Sequence, residues 1–279
     1  MAVKEYFLPQ SLAEATNLLA KHSPSLLIMA GGTIAMPLIN EGMTMPEKVM
    51  GLRRAGLNYI QRSNGAVAIG ATTTLTEILG LEAVPLLQTA AYHAGSWSTR
   101  NMGTIGGNIF APPPAGDVAV ALLALDAQVK LVNHSDERVM PLEEFYTGLG
   151  TTALLPGELL AEIHVPIPQG QTIYIKYGRK HATTPAVVTV AIQVVMAGEQ
   201  VQEVRLALNG AGPHPIRALK AEMTLIGSSL NAETIAMTAA VAAEECEPPT
   251  DAIASEWYRR KMVRVYVKRA LAQIAGLEA

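Results

Sequence analysis

Short apolar runs alternate with capping residues, glycines and prolines along the chain, and this pattern predicts a succession of strands and helices. The run Leu26–Ala30 is uninterrupted and apolar, which is typical of a strand covered on both faces. Further strands are predicted at Val67–Ala71, Gln128–Val132, Arg138–Met140 and Leu159–Val165. Helices are predicted from a capping box at Ser11 to about Lys21, from a second capping box at Thr74, over Pro85–Ala94 and, buried, over Val118–Leu125.

The pattern changes after Pro166 and Pro168, and the turn sequence Gln169-Gly170 marks a domain boundary. We expect one domain over residues 1–168 and a smaller one over 169–279. A three-stranded antiparallel sheet is predicted from β-branched and aromatic runs at Thr172–Tyr177, Ala186–Met196 and Val201–Leu208. Three helices are predicted to follow, over Ala218–Ile226, from the cap Asn231 to Ala243, and over Glu256–Ala270. The fold class is therefore α+β.

Two glycine-rich segments, Ala30–Ile34 and Arg100–Asn108, stand about seventy residues apart. A backbone without Cβ atoms can approach a phosphate closely, and successive N–H groups can converge on its oxygens. Either segment alone is explained equally well as a tight turn. The pair would suit a long anionic ligand such as a dinucleotide, although Gly103–Gly107 does not match the Gly-x-Gly-x-x-Gly fingerprint of a Rossmann site.

Charge and cysteine content narrow the class of protein. The formal net charge of −3 has no long run of one sign, so we expect neither a nucleic acid nor an anionic membrane as partner. The start of the chain lacks the pattern of a leader, and Val118–Leu125 is too short to span a bilayer, so a cytoplasmic location is expected. The single cysteine, Cys246, lies among acidic neighbours and reads as an unreactive thiol. An iron–sulfur cluster or a cysteine-rich zinc site would have to lie on a partner chain.

The common catalytic motifs are absent from the sequence. It has no Gly-x-Ser-x-Gly elbow, no His-Glu-x-x-His and no Gly-x-x-x-x-Gly-Lys phosphate loop. No catalytic nucleophile and no metal site are predicted, because the histidines are scattered without ligand spacing and favour surface or packing roles. The six histidines are His22, His93, His134, His164, His181 and His214.

The two glycine segments belong to a longer series of motifs that runs along nearly the whole chain. The series comprises Ala30–Thr33, Ile69–Thr73, Arg100–Asn108, Asp117 with Ala121–Ala127, Pro156–Leu160, the strand holding Lys176, Arg205–Gly210 and Trp257–Arg260. In this order the motifs closely resemble the FAD-binding medium subunit of the molybdenum hydroxylases, the family that includes xanthine dehydrogenase and carbon monoxide dehydrogenase. The resemblance implies an FAD-binding domain of the vanillyl-alcohol-oxidase-like (PCMH) type, made of two α/β subdomains, followed by a small C-terminal domain.

The resemblance also implies site residues, all of them cofactor-binding. The first segment would lie at the FAD pyrophosphate with Met29, Ala30, Gly31, Gly32, Thr33 and Ile34, and the second with Thr104, Ile105, Gly106, Gly107 and Asn108. Asp117 would face the cofactor behind a proline turn, Leu160 would pack against it, and Lys176 would reach it from the second domain.

Several of these residues also have an alternative interpretation as ordinary structural residues. Asp117 could cap the helix that begins at Val118, Lys176 could be a solvated strand residue, and Leu160 is by default a core leucine. The chain also departs from the family pattern at two places. Ile34 stands where many relatives have an acidic or small polar residue, and Thr183-Thr184-Pro185 stands where they usually have an Asp.

The last helix carries basic residues around an apolar stripe of Tyr258, Met262, Val265 and Tyr266. They are Arg259, Arg260, Lys261, Arg264, Lys268 and Arg269. A solvated basic face is the first interpretation, and a docking surface for a partner subunit is the second.

The function implied by the resemblance is that of the FAD-carrying subunit of a heteromeric oxidoreductase. A large subunit would hold molybdopterin, a small subunit would hold [2Fe–2S] clusters, and FAD on this chain would pass electrons to NAD, a quinone or oxygen. Alternatives are a free-standing FAD oxidoreductase of the same fold and a non-catalytic assembly module without flavin. The sequence has no ribose-recognising acidic residue that would favour NAD.

Overall fold

A computed structural model describes residues 3–180 and 183–277, so the prediction made for His181 lies outside the described residues. The chain begins with a small parallel sheet of strand order β1-β3-β2, flanked by two helices. Its elements are β1 (Glu5–Phe7), α1 (Leu12–His22), β2 (Leu26–Met29), α2 (Ala35–Asn40) and β3 (Lys48–Gly51). Ser11 caps α1 as predicted, but the Glu14 carboxylate accepts the Gln10 amide and not the Ser11 amide, so the capping box is incomplete.

The second subdomain is a five-stranded antiparallel sheet of order β4-β5-β10-β6-β7 with helices packed against it. Its strands are β4 (Ile60–Ser63), β5 (Ala66–Gly70), β6 (Gln128–Val132), β7 (Glu137–Pro141), the short pair β8 (Tyr146–Gly148) and β9 (Thr151–Thr152), and β10 (Leu159–Pro166). Its helices are α3 (Leu75–Ile78), α4 (Pro85–His93), α5 (Trp97–Met102), α6 (Ile105–Ile109), α7 (Asp117–Ala124) and α8 (Leu142–Phe145). The capping box predicted at Thr74 is complete, because Thr74 and Glu77 each satisfy the backbone N–H of the other.

The C-terminal part is an antiparallel sheet of order β11-β12-β13-β14 covered by helices. Its elements are β11 (Gln171–Gly178), β12 (Ala186–Ala197), β13 (Gln200–Asn209), β14 (Ile216–Arg217), α9 (Leu219–Leu225), α10 (Ala232–Glu245) and α11 (Glu256–Ile274). The three predicted strands are present, and the two-residue β14 adds a fourth to the predicted three-stranded sheet. Asn231 caps α10 as predicted by accepting hydrogen bonds from the amides of Glu233 and Thr234.

Helix α7 lies at the centre of the molecule, and every one of its side chains is buried. It packs against α4 on one side and against β12 and β13 on the other. Apolar residues of the C-terminal sheet, Ala191 and Ala207, therefore belong to the same core as Val118 and Leu122 of α7. Because α7 joins the cores of both parts, the residues at its N-terminus lie where the N-terminal subdomains and the C-terminal sheet meet.

The motif Tyr258-Arg259-Arg260 at the start of α11 has structural roles. The prediction of a solvated basic face is wrong for Arg259, which is fully buried, donates to both carboxylate oxygens of Asp251 at 2.8 Å and donates to the carbonyl of Val187. Arg260 donates to the carbonyl of Ala243 at the end of α10. The exposed basic residues of the helix are Lys261, Arg264, Lys268 and Arg269.

Cys246 is buried, and burial raises the pKa of its thiol to about 12, with the neighbouring Glu245 contributing in the same direction. The prediction of an unreactive thiol rested on acidic neighbours, whereas burial in the C-terminal core is the larger cause.

Candidate functional site

A cavity of about 800 Å³ lies where the three sheets meet. Its wall includes residues from β2, from both glycine-rich segments, from the start of α7 and from β10 and β11. Thirteen of the fourteen predicted site residues line it: Met29, Ala30, Gly31, Gly32, Thr33, Ile34, Thr104, Gly106, Gly107, Asn108, Asp117, Leu160 and Lys176. The remaining one, Ile105, is fully buried in the core behind the wall.

The two glycine-rich segments pack directly against each other. A Cβ atom built on Gly31 would lie 1.8 Å from the carbonyl oxygen of Met102, so only glycine permits this approach. Gly32 has φ = +75°, which turns the chain from the end of β2 towards α2. The segments that stand far apart in the sequence therefore form one continuous part of the cavity wall.

The first segment presents unpaired backbone donors. In the described part of the chain, the N–H groups of Gly31, Gly32, Thr33 and Ile34 donate no hydrogen bond to another residue. All four residues line the cavity. Gly31, Gly32 and Ile34 are half-buried, and Thr33 is exposed. Half-buried N–H groups are normally paired, so this row of free donors is suited to the oxygens of an anionic ligand.

The second segment differs from the prediction, because most of its amides are used within the protein. Residues 105–109 form the short helix α6, the Ile105 and Gly106 amides donate to the carbonyls of Thr73 and Ala71, and the Gly107 amide donates to the Thr104 hydroxyl oxygen. This segment therefore offers mainly side-chain donors, the hydroxyl hydrogen of Thr104 and the side-chain amide of Asn108. Among its cavity-lining residues, only the N–H of Thr104 donates no hydrogen bond within the described part of the chain.

Asn108 also performs the capping role that capping preference alone suggested for Asp117. Its Oδ1 atom accepts the amides of Val118 at 2.9 Å and Ala119 at 3.2 Å, at the first turn of α7. Its Nδ2 group has no acceptor among residues 3–180 and 183–277, and Asn108 lines the cavity. One side of this amide fixes α7, and the other can donate into the cavity.

Asp117 and Lys176 form a buried ion pair across the junction between α7 and β11. Lys176 Nζ lies 2.7 Å from Asp117 Oδ2 and donates to the carbonyl of His93 at 3.0 Å, and both side chains are only 10% exposed. Burial raises the pKa of Asp117, and the Lys176 ammonium opposes that shift. Lys176 is thus not a solvated strand residue, and the pair places a fixed cation and anion in the cavity wall.

Strand β2 forms an apolar wall that the protein leaves partly uncovered. The sequence predicts this strand to be covered on both faces, yet only Leu26 is buried, while Leu27, Ile28 and Met29 are half-buried and line the cavity. Leu160 is 3% exposed and lines the cavity from β10, where it also belongs to the core. The uncovered face of β2 is suited to the apolar part of a bound ligand.

Several residues that line the cavity were not predicted as site residues. The prominent polar ones are Thr72, Ser96, Thr99, Glu158, Thr183 and Thr184. Glu158 is paired with Arg138 through two hydrogen bonds of 2.7 and 2.8 Å and accepts the Leu155 amide, and Arg138 holds the pKa of this carboxyl below its usual range. The Pro-Gly-Glu motif at 156–158 was the signal that could have identified Glu158.

The described residues contain neither a candidate metal-binding cluster nor a candidate membrane-spanning helix. Within the described ranges, no group of three or more histidine, cysteine, aspartate or glutamate residues could hold a metal ion. No helix in the same ranges is both long enough and apolar enough to cross a membrane.

This cavity, called the cleft below, combines free N–H donors, a buried ion pair and an apolar wall. The free donors suit an anionic part of a ligand, and the apolar wall suits an apolar part. The comparisons identify the family. The model of the family described as "FAD binding domain in molybdopterin dehydrogenase" matches residues 2–168, and that of the "CO dehydrogenase flavoprotein C-terminal domain" matches residues 173–274. The chain belongs to this family of FAD-binding molybdopterin dehydrogenase subunits.

Relatives match over almost their whole lengths. The glyceraldehyde dehydrogenase medium chain of Sulfolobus acidocaldarius is 33% identical, covering 97% of this chain and 98% of the relative. The 6-hydroxypseudooxynicotine dehydrogenase complex subunit alpha of Paenarthrobacter nicotinovorans is 32% identical, covering 96% and 93%. The structure of a carbon monoxide dehydrogenase chain from Hydrogenophaga pseudoflava matches with a TM-score of 0.94 and 30% identity, covering 99% and 98%.

These matches confirm the family resemblance, the α+β fold with an FAD-binding domain and a C-terminal domain, and the assignment to FAD-dependent oxidoreductase subunits. The cavity fits the cofactor that the family binds. The free amides of the first segment suit a pyrophosphate, the uncovered face of β2 suits a ring system, and a volume of about 800 Å³ lies in the usual range for cofactor sites.

Proposed function

We propose that this chain holds FAD in the cleft and serves as the electron-exit subunit of a heteromeric molybdenum hydroxylase. A large subunit would carry molybdopterin, a small subunit would carry [2Fe–2S] clusters, and the electrons would leave from this chain to NAD, a quinone or oxygen. The observation that carries the proposal is the meeting of the two glycine-rich segments, one with free amides, in the wall of one cleft.

Different residues of the cleft would bind different parts of the cofactor. Met29 to Ile34 would bind the pyrophosphate through the free backbone donors, and Thr104 to Asn108 would add side-chain donors, with Ile105 supporting that turn from the core. Leu160 would pack against the cofactor from β10. When bound, FAD accepts electrons one at a time and releases them in pairs. The protein supplies placement, exclusion of water and the fixed charges of Asp117 and Lys176.

Two observations support partner subunits: the small number of cysteines in this chain and the names of its relatives. Iron–sulfur clusters need several cysteine thiolates, and the sequence has one cysteine, which is buried. The relatives are named as a medium chain and as a subunit of a dehydrogenase complex. A cytoplasmic location and a domain boundary between residues 168 and 169 belong to the same proposal, and the boundary is supported by the two matched ranges.

A tagged copy of the chain, purified from its own organism, tests the assembly. We expect molybdenum and iron to elute with FAD in fixed proportion, while the chain expressed alone contains FAD but neither metal. Elution without molybdenum or iron, combined with turnover of a small donor by the isolated chain, would establish a free-standing FAD oxidoreductase instead.

Lys176→Met tests the ion pair in the cleft wall. This change removes the ammonium group that would reach FAD from β11. We expect FAD affinity to fall about tenfold, because the loss of one hydrogen bond between this charged group and the cofactor costs about 1.5 kcal/mol. Lys176→Arg keeps the charge and serves as the matched control. Titration of the isolated apoproteins with FAD, followed by flavin fluorescence, measures the FAD affinity of both variants. Equal affinity of Lys176→Met and wild type would show that Lys176 does not contribute to FAD binding.

The exposed basic face of α11 is proposed as a docking surface for an acidic surface of a partner subunit. Arg260 is unsuitable for testing it, because it caps α10. Lys261 and Arg264 are exposed and flank Trp257, itself 68% exposed, in a shallow groove. We expect Lys261→Glu with Arg264→Glu to weaken co-purification of the other subunits about tenfold or more, through like-charge repulsion, with flavin content unchanged. Unaltered assembly would leave this face as an ordinary solvated one.

A further inference from the structure

Three consecutive threonines follow β5, and their hydroxyl groups have different surroundings. The Thr73 hydroxyl donates to the Tyr59 carbonyl at 3.0 Å. The Thr74 hydroxyl donates to Glu77 at 2.7 Å and accepts the Glu77 amide, which caps α3. The Thr72 hydroxyl oxygen is buried and has no hydrogen-bond partner in the described part of the molecule. Two of the three hydroxyl groups thus stabilise the fold, and the third does not.

Thr72 is also the one of these three threonines that lines the cavity. Its backbone is held firmly, because its own amide donates to the carbonyl of Leu57 at 3.0 Å and the Gly106 amide donates to the carbonyl of the preceding residue, Ala71. The second bond ties Thr72 to the second glycine-rich segment. The threonine is therefore fixed in the wall of the cleft beside the segment that carries Thr104 and Asn108.

A buried hydroxyl group without a partner is unfavourable and is uncommon in folded proteins. The side chain of Thr72 can remove this penalty without moving the backbone, because rotation about χ1 can move its hydroxyl group into the position that its methyl group now holds. The residue is 6% exposed and lines the cavity.

We propose that Thr72 is a further FAD-binding residue, whose hydroxyl group donates a hydrogen bond to the cofactor when the cleft is filled. The inference rests on the proposed binding of FAD in this cleft. It adds to the predicted site a residue outside both glycine-rich segments. It also gives the unpaired hydroxyl a partner that residues 3–180 and 183–277 do not supply.

The test compares Thr72→Val with Thr72→Ser and with Thr73→Val in the full-length apoprotein. Thr72→Val keeps the shape but removes the hydroxyl group, and we expect FAD to bind about fivefold to tenfold more weakly, the usual cost of one hydrogen bond. The melting temperature of its apoprotein should equal or exceed that of wild type, because an unpaired polar group is lost. Thr72→Ser should bind FAD within about twofold of wild type, since it retains the donor.

Thr73→Val is the control for a purely structural hydroxyl group. It should lower the melting temperature of the apoprotein and change FAD affinity by less than about twofold, because its hydroxyl bonds within the protein. The inference is overturned if Thr72→Val binds FAD as tightly as wild type, or if its apoprotein melts as low as Thr73→Val. Failure of wild type itself to bind FAD would instead refute the proposed function.

Discussion

Replacing Gly31 by alanine is expected to abolish tight binding of FAD. The new Cβ atom would lie 1.8 Å from the Met102 carbonyl oxygen, so the two glycine-rich segments would have to separate. Separation moves the free amides of Gly32 and Thr33 away from the second segment. These two amides would then lose their hydrogen bonds to the FAD pyrophosphate. Each hydrogen bond to a charged group is worth about 1.5 kcal/mol, so FAD affinity should fall on the order of 100-fold. Titration of apoprotein with FAD measures the change.

Gly80→Ala provides the matched control for this substitution. Gly80 lies outside the cleft, and an added Cβ atom would meet only the Glu77 carbonyl oxygen at an ordinary distance of 3.5 Å. The variant should bind FAD like wild type. If Gly31→Ala bound FAD with wild-type affinity while remaining folded, the contact between the two segments would have no part in cofactor binding.

Replacing Arg259 by methionine is expected to destabilise the protein by about 3 kcal/mol, because it leaves the partners of a buried charge unpaired. The Asp251 carboxylate would lose a two-point ion pair, and the buried carbonyl of Val187 would lose its donor. Urea denaturation of the isolated chain, followed by circular dichroism, gives the free energy of unfolding.

Arg264→Met is the control for Arg259→Met, since Arg264 is exposed on the same helix and should change stability by less than about 0.5 kcal/mol. Arg259→Lys keeps the charge but has one nitrogen in place of the two that bond Asp251 and the Val187 carbonyl, and we expect an intermediate loss. Equal unfolding midpoints for Arg259→Met and Arg264→Met would show that the buried guanidinium contributes nothing to stability.

The sequence predicts the long elements well, because their signals are local. Continuous apolar runs and helix caps identified β5, β10, β12 and α10 with nearly the observed bounds. Other elements depend on partners far away in the chain. Strand β4 is exposed along its whole length, and α6 contains two glycines and is held by hydrogen bonds to Thr73 and Ala71.

The family resemblance predicts which residues lie together at the site. It does not predict the hydrogen-bond partners and the burial of the individual side chains. Lys176 and Asn108, which the family resemblance implies as site residues, both line the cavity. Nothing in the sequence shows that Asn108 caps α7, that Arg259 is buried, or that the Thr72 hydroxyl lacks a partner among the residues that the structure describes. These properties arise from tertiary packing, since each depends on a residue from another element.

The flavin content of the isolated chain tests the central claim, that the cleft between the two glycine-rich segments binds FAD. The chain is expressed alone and desalted, and the flavin released on denaturation is identified and quantified against protein. We expect a yellow protein that releases FAD, and not FMN, at about one molecule per chain, and Gly31→Ala prepared in parallel to be nearly colourless. A colourless wild-type chain that takes up no added FAD would contradict the account.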